Sequence, residues 1–125
     1  MQTHFNHIAL YVADLKQSAA FYQNIIDAEI IPDPFQDDRH IWLKNGEHNQ
    51  LHLIAGSRRP DTGNIHFAFS VTSVEEFVGR LKNARIRYDD GHGQANQVRM
   101  RPDGIKQIYF QDPDGYWIEI NEDRY

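Results

Sequence analysis

The sequence predicts an α+β protein that contains two copies of one strand–helix–strand–strand–strand module. Three observations predict this class: each half opens with a β-rich segment followed by an amphipathic helix, each half closes with a hairpin signal, and short motifs recur between the halves. We place module 1 at about residues 4–55, a polar Gly- and Pro-rich linker at 56–63, and module 2 at about residues 64–121. Residues 1–125 then form a single domain.

Module 1 is predicted from apolar periodicity and from breakers. Residues 6–12 are β-rich, and Asp14 follows as the N-cap of a helix whose apolar residues recur at helical spacing. Residues 28–31 form a second predicted strand, which ends before two prolines. Strands at 40–43 and 50–54 flank an Asn-Gly pair, a strong hairpin signal.

Module 2 repeats this order after the linker. Ser73 is the predicted N-cap of its helix, and an Asp-Pro-Asp-Gly turn joins its last two strands. The polar stretch 89–104 is predicted to be a loop. The predicted strands of this module are residues 65–71, 86–88, 105–110 and 116–120.

Composition excludes several classes of protein. The 125 residues are 40% hydrophobic and 25% charged, as expected of a folded chain, and a net charge of -5 argues against nucleic-acid binding. No apolar run approaches the roughly 18 residues needed to span a membrane, and we expect no signal peptide. The absence of cysteine excludes disulfides and thiolate sites. We therefore expect a soluble cytoplasmic protein that binds neither nucleic acid nor membranes.

Four polar residues recur at matching positions of the two modules. His7 aligns with His66 in the first strands, where small neighbours leave room for a ligand, and His52 aligns with Glu119 in the last strands. A carboxylate between two isoleucines is costly unless it is paired, protonated or bound to a cation. Imidazole and carboxylate together suit zinc, nickel, manganese or iron(II), so the four residues predict a metal site.

Each of these residues also has a simple structural interpretation. A strand histidine can be hydrogen-bonded without binding metal, His52 can serve cross-strand packing, and Glu119 can be solvated on an edge strand. The metal hypothesis therefore depends on all four residues together. The histidines that lack this placement are expected at the surface or in loops: His4, His40, His48 and His92.

Four segments of the chain resemble the vicinal oxygen chelate superfamily, also called the glyoxalase/bleomycin resistance/dioxygenase superfamily. They are His7-Ile-Ala-Leu-Tyr-Val, the helical Ser18-Ala-Ala-Phe21-Tyr22, His66-Phe-Ala-Phe-Ser-Val and Gln111-Asp-Pro-Asp-Gly-Tyr-Trp-Ile-Glu119-Ile. The last segment most resembles the terminal hairpin of glyoxalase I. The resemblance implies two βαβββ modules whose curled mixed sheets form a half-barrel around a divalent cation, held by His7, His66 and Glu119.

The fourth ligand and the substrate contacts are less specific. The repeat alignment favours His52 as the fourth ligand, and Gln50, two residues away on the same face, is the alternative. Arg99, Arg101 and Lys106 are the candidates for binding a substrate carboxylate.

The resemblance implies a metal-dependent lyase or isomerase of the glyoxalase I (lactoylglutathione lyase) type. The substrate would carry two adjacent oxygens, an enediolate would be stabilised by the metal, and Glu119 would be the general base, with glutathione as the expected co-substrate. The alternatives are antibiotic-resistance proteins, either similar to a fosfomycin thiol transferase or bleomycin-binding, and an extradiol-type dioxygenase. The family also implies a homodimer with sites at or near the interface, built within one chain or across two.

Overall fold

The computed structural model describes residues 1–56 and 65–123, and the chain divides into two compact units, Met1–Pro60 and Asp61–Tyr125. All but the first residue of the predicted linker, 56–63, lies outside the described residues. Neither helix found in the described ranges is long and apolar enough to cross a bilayer. The described elements are β1 (His7–Val12), α1 (Leu15–Ile26), β2 (Glu29–Ile31), β3 (His40–Asn45), β4 (Asn49–Ala55), β5 (His66–Ser70), α2 (Val74–Asn83), β6 (Tyr88–Asp89), β7 (Arg99–Met100), β8 (Lys106–Gln111) and β9 (Trp117–Asn121).

The first unit is a mixed four-stranded sheet with one helix, in the predicted order. Its strand order is β1-β4-β3-β2, in which β1 and β4 are parallel and the other pairs are antiparallel. Asp14 caps α1 as predicted, because its carboxylate accepts the Gln17 backbone N–H at 2.9 Å. At the other end, Asp27 takes a left-handed conformation (φ 61°) and ends the helix.

Strand alternation gives this sheet an apolar face and a polar face. Helix α1 contacts strands β3 and β4, and the buried side chains of sheet and helix form one core. His7, Gln50 and His52 lie on the polar face, since His7 pairs with Gln50 and Ala9 pairs with His52. The core residues are Leu10, Val12, Leu43, Leu51 and Leu53 from the sheet and Ala19, Tyr22, Ile25 and Ile26 from α1.

The second unit has the same plan with one additional strand. Its sheet runs β5-β9-β8-β6, and Ser73 caps α2 as predicted by accepting the Glu76 N–H at 3.1 Å. The additional strand, β7, lies inside the stretch predicted as loop, 89–104, and pairs with β8. Asp89 also belongs to a strand, because β6 is Tyr88–Asp89 and not the predicted 86–88, so the loop prediction is wrong for Asp89 and for both residues of β7. A strand of two residues such as β7 is too short to show a periodic pattern, so only its pairing with β8 identifies it.

Equivalent strand registers relate the two units. Ala9 pairs with His52 in the first unit, and Ala68 pairs with Glu119 in the second. In both sheets, the small residue two positions after the first-strand histidine therefore lies beside the polar residue of the last strand. The repeat seen in the sequence thus corresponds to equivalent positions in the two sheets.

Truncation of Phe110 tests the core of the second unit. The ring is 1% exposed and packs against Phe77 with centroids 5.8 Å apart. We expect Phe110→Ala to lower the free energy of unfolding by about 3–5 kcal/mol, because the cavity cannot fully collapse. Phe5→Ala, at a residue 73% exposed, is the control and changes it by less than about 0.5 kcal/mol. Equal effects in urea unfolding would contradict this description of the core.

Candidate metal centre

His52 is the centre of an aromatic stack on the polar face of the first unit. Its ring lies between Trp42, with centroids 3.6 Å apart and planes 9° apart, and His7, with centroids 4.2 Å apart and planes 20° apart. The residue is 8% exposed, and this burial is the main cause that lowers the pKa of His52; the neighbouring His7 lowers it further. The neutral imidazole is therefore favoured at this position.

Side-chain amides assign the nitrogens of the two stacked histidines. His7 Nδ1 lies 2.5 Å from Asn6 Oδ1, so Nδ1 is the donor of this contact and Nε2 is the nitrogen left for a metal ion. His52 Nε2 lies 2.8 Å from Gln50 Oε1 and likewise donates to it. A hydrogen bond on the remote nitrogen is the usual way in which a metal-binding imidazole is oriented, and His7 has this arrangement.

The two stacked rings are poorly oriented for binding one ion together. The lone pair of an imidazole nitrogen lies in the plane of its ring. Because the ring planes of His7 and His52 are only 20° apart and the centroids are 4.2 Å apart, the two planes intersect far from both rings. In this arrangement, His7 and His52 do not direct lone pairs at a common point. Gln50, the alternative fourth ligand, has its amide oxygen engaged by His52.

Glu119 is the centre of a hydrogen-bonded group on the polar face of the second unit. It is 8% exposed, and its Oε1 accepts the Tyr109 hydroxyl at 2.6 Å while its Oε2 accepts Asn121 Nδ2 at 2.5 Å. His66 Nε2 lies 3.4 Å from Oε1. Burial, together with the contact to Glu119, raises the pKa of Tyr109 to about 12, so this phenol stays protonated at neutral pH.

The spacing between His66 and Glu119 fits a shared metal ion. With metal–ligand bonds of about 2.0–2.2 Å, two ligand atoms lie about 3.0 Å apart at the 90° angle of a six-coordinate ion and about 3.4 Å apart at a tetrahedral angle. An imidazole nitrogen and a carboxylate oxygen are also the donor types that zinc, manganese and iron(II) accept. His66 and Glu119 therefore fit a metal-binding pair.

A cleft of about 390 Å³ opens beside this pair, within the range of small-molecule sites. One wall carries Asp89, whose carboxylate is held by Arg87 at 2.9 Å and by the Gly91 N–H at 2.7 Å. Arg99 is a basic residue of the lining. The lining residues are Ile65, His66, Asp89, Gly91, Gly93, Arg99, Tyr109 and Trp117.

The three predicted substrate-binding cations differ in their surroundings. Arg99 lines the cleft, whereas Arg101 forms ion pairs with Asp103 at 2.5 Å and Asp123 at 3.2 Å. Lys106 is paired with Glu75. These carboxylates raise the pKa of Arg101 and of Lys106, and they occupy both cations. Arg99 is thus the best placed of the three to meet a substrate anion.

Sequence reasoning missed two of the residues that surround Glu119. Tyr109 pairs with Glu119 in the terminal hairpin, and Asn121 follows it by two residues on the same face. Hairpin register and strand alternation would have found both. A third group was also missed: in the described part of the chain, ligand atoms of Asp33, Asp37 and His40 lie within 4.8 Å of one another.

A glycine pair in the cleft tests how closely the loop packs on Tyr109. Gly91 (φ +84°) and Gly93 (φ +81°) have similar backbones, but a Cβ on Gly91 would lie 2.7 Å from Tyr109 Cε2, whereas a Cβ on Gly93 would meet nothing within 4 Å. Both alanine variants bear a left-handed cost of about 1–2 kcal/mol. We expect Gly91→Ala to be the less stable in urea unfolding and to shift the NMR signals of Tyr109. Equal stability with unchanged Tyr109 signals would contradict this packing.

Comparisons with known proteins identify the superfamily of the chain. The Glyoxalase/Bleomycin resistance protein/Dioxygenase superfamily matches residues 4–120. Metallothiol transferase FosB of Lysinibacillus sphaericus is 27% identical over 124 residues, which cover 93% of this chain and 79% of that protein. A mutant of the fosfomycin resistance protein FosX from Listeria monocytogenes, complexed with Mn(II) and 1S,2S-dihydroxypropylphosphonic acid, is 26% identical with a TM-score of 0.81, covering 99% of this chain and 95% of that one.

A second solved structure shares the fold. Lactoylglutathione lyase from Agrobacterium tumefaciens is 23% identical with a TM-score of 0.72, over 97% of this chain and 94% of that one. The family match spans nearly the whole chain and includes both predicted modules. The chain therefore belongs to the Glyoxalase/Bleomycin resistance protein/Dioxygenase superfamily, as its motifs predict.

Proposed function

We propose that this protein is a metal-dependent enzyme that acts on a small anionic substrate with two adjacent oxygen atoms. His7, His66 and Glu119 are the proposed ligands of a divalent ion, and Arg99 is the proposed anchor of the substrate anion. The observation that carries the proposal is the pairing of His66 Nε2 with Glu119 Oε1 at 3.4 Å beside a cleft that Arg99 lines. The Mn(II) complex of the similar FosX supports the choice of a divalent metal.

A three-ligand set agrees better with the contacts of His52 than the predicted four-ligand set. The ring of His52 stacks on His7 and donates its Nε2 hydrogen to Gln50. We therefore propose that His52 supports the orientation of His7 and that Gln50 orients His52 in turn. In this proposal His52 and Gln50 do not bind the metal ion themselves but hold the ligand His7, and residues that hold a ligand tune metal affinity.

The proposed residues divide the work of binding and chemistry. A divalent ion held here would act as a Lewis acid on two adjacent substrate oxygens. Arg99 binds the anionic group by charge-assisted hydrogen bonds, and Tyr109, which lines the same cleft, donates its hydroxyl hydrogen to the proposed ligand Glu119. Ile65 and Trp117 contribute apolar side chains to the lining.

Addition of a nucleophile to a small phosphonate epoxide is the first candidate reaction. Both oxygens of Glu119 accept hydrogen bonds, which suits a fixed ligand better than a carboxylate that must move and take a proton. In fosfomycin-type addition, the thiol sulfur or water oxygen bonds to a ring carbon, the carbon–oxygen bond breaks, and that oxygen gains the nucleophile's proton. The names of the similar FosB and FosX proteins support this substrate class.

Glyoxalase I-type isomerisation of a glutathione adduct is the second candidate. The terminal hairpin from Gln111 to Glu119, which most resembles glyoxalase I, favours it. It requires Glu119 to serve as the base, so the carboxylate must give up the hydrogen bonds from Tyr109 or Asn121. Metal-free bleomycin binding is disfavoured, because such binders have no need of the two histidines and the glutamate.

The proposed ligand set draws on both units of the chain. His7 belongs to the first unit, and His66 and Glu119 belong to the second. Either one chain or two chains can supply the set, so the predicted homodimer with sites at or near the interface stays a prediction.

Metal affinities of single variants test the ligand set. We expect His7→Ala, His66→Ala and Glu119→Ala each to weaken Mn(II) binding by more than about 100-fold, because each removes a ligand. His52→Leu should weaken it by about 10–100-fold, the range for a supporting residue. Competition with a fluorescent chelator measures these values, and His48→Ala is the exposed histidine control.

The two models of the site predict different outcomes for His52. If His52→Leu loses as much affinity as His66→Ala, the four-ligand set is correct and the supporting role of His52 is wrong. If wild-type protein binds no divalent metal, the proposed function fails.

Substrate assays with an Arg99 variant test the reaction. We expect the Mn(II)-loaded protein to catalyse the addition of a thiol or water to fosfomycin. Phosphorus NMR measures the loss of the substrate. Arg99→Met should raise KM by about 10-fold or more, because a charge-assisted hydrogen bond is worth about 1.5–3 kcal/mol. Arg80→Met, on helix α2, is the matched control.

A parallel assay uses the methylglyoxal–glutathione adduct. Turnover of the adduct alone would replace the first candidate with the second. Glu119→Gln should then abolish that turnover while some metal stays bound, and full activity of this variant would refute the base role. Metal binding without turnover of either substrate would contradict both assigned reactions.

A further inference from the structure

Asn121 places its side-chain amide directly against the proposed ligand Glu119. It stands two residues after Glu119 on strand β9, so both side chains lie on the same face of the sheet. The residue is 5% exposed, and its Nδ2 donates to Glu119 Oε2 at 2.5 Å. This contact joins Asn121 directly to the proposed ligand.

The orientation of the amide is fixed by the backbone that follows. Asn121 Oδ1 accepts the Asp123 backbone N–H at 3.0 Å, and because that group can only donate, the amide oxygen must face Asp123 and the NH₂ group must face Glu119. Asp123 is itself held by Arg101 at 3.2 Å. The Asn121 carbonyl accepts the Val71 N–H at 2.8 Å. The donor is therefore held from several sides.

The two oxygens of Glu119 consequently differ. Oε2 is occupied by the Asn121 amide, whereas Oε1 faces His66 Nε2 at 3.4 Å and accepts the Tyr109 hydroxyl at 2.6 Å. An oxygen with two lone-pair directions can serve Tyr109 and a metal ion together. Oε1 is the oxygen that faces His66. Rotation of the carboxylate to bring Oε2 toward His66 would break the hydrogen bond from Asn121.

We propose that Asn121 is a positioning residue that restricts Glu119 to binding a metal ion through one oxygen. This inference rests on the proposed function. Carboxylates bind metals through one oxygen or two, and the second mode uses one more coordination position. With three protein ligand atoms, a six-coordinate ion keeps about three positions for substrate and water, whereas a two-oxygen Glu119 leaves about two. Asn121 thereby preserves a position next to the two that adjacent substrate oxygens need.

Counting the water molecules on bound Mn(II) tests this role without any measurement of turnover. We expect water-proton relaxation to give about three inner-sphere waters in wild-type protein and about two in Asn121→Leu, since the freed Oε2 takes one position. Asn121→Ser, whose side chain is too short to reach Oε2, should also lose one water. Asn45→Leu is the matched control, because Asn45 Nδ2 donates to the Ile26 carbonyl in the first unit.

The possible outcomes separate this inference from the proposed function. If both Asn121 variants keep the wild-type number of waters while Glu119→Ala changes it, the restriction by Asn121 is wrong and the metal site stands. If wild-type protein binds no Mn(II), both proposals fail. Thermal unfolding identifies any variant that does not fold. If Asn121→Leu does not fold, the number of waters in Asn121→Ser tests the role of Asn121.

Discussion

The second unit depends on supplying hydrogen-bond partners to a carboxyl group that lies inside a strand of the core. Glu119 lies between Ile118 and Ile120, both fully buried, so its chain position is fixed by their packing. A buried charge without partners would cost several kcal/mol. The Tyr109 hydroxyl, the Asn121 amide and the His66 ring surround it, and this compensation makes the residue available for chemistry.

Strand alternation is the physical reason that one sheet can serve both stability and chemistry. One face of each sheet packs against its helix, and the other carries the histidines, the carboxylate and their hydrogen-bond partners. The small residues Ala9 and Ala68 keep space beside the last-strand positions in both units. A duplicated module therefore places polar groups at equivalent positions of the two sheets.

The two units hold their polar groups by different means. In the first, His52 is fixed by flat stacking on Trp42 and by a hydrogen bond to Gln50. In the second, hydrogen bonds to the carboxylate dominate, because a charge gains more from donors than from ring contacts. This difference agrees with a supporting role for the histidine of the first unit and a ligand role for the glutamate of the second.

The residues alone predict the family, both helix caps, the face on which each candidate ligand lies and the order of the described elements other than β7, since periodicity, capping and turn chemistry are local properties. Contacts in the folded protein distinguish Arg99, which lines the cleft, from Arg101 and Lys106, which form ion pairs with carboxylates. The stacking of His52 and the pairing of β7 with β8 are also seen only in the folded protein. Such contacts join residues that are distant in the chain or carry no periodic signal, so no local pattern encodes them.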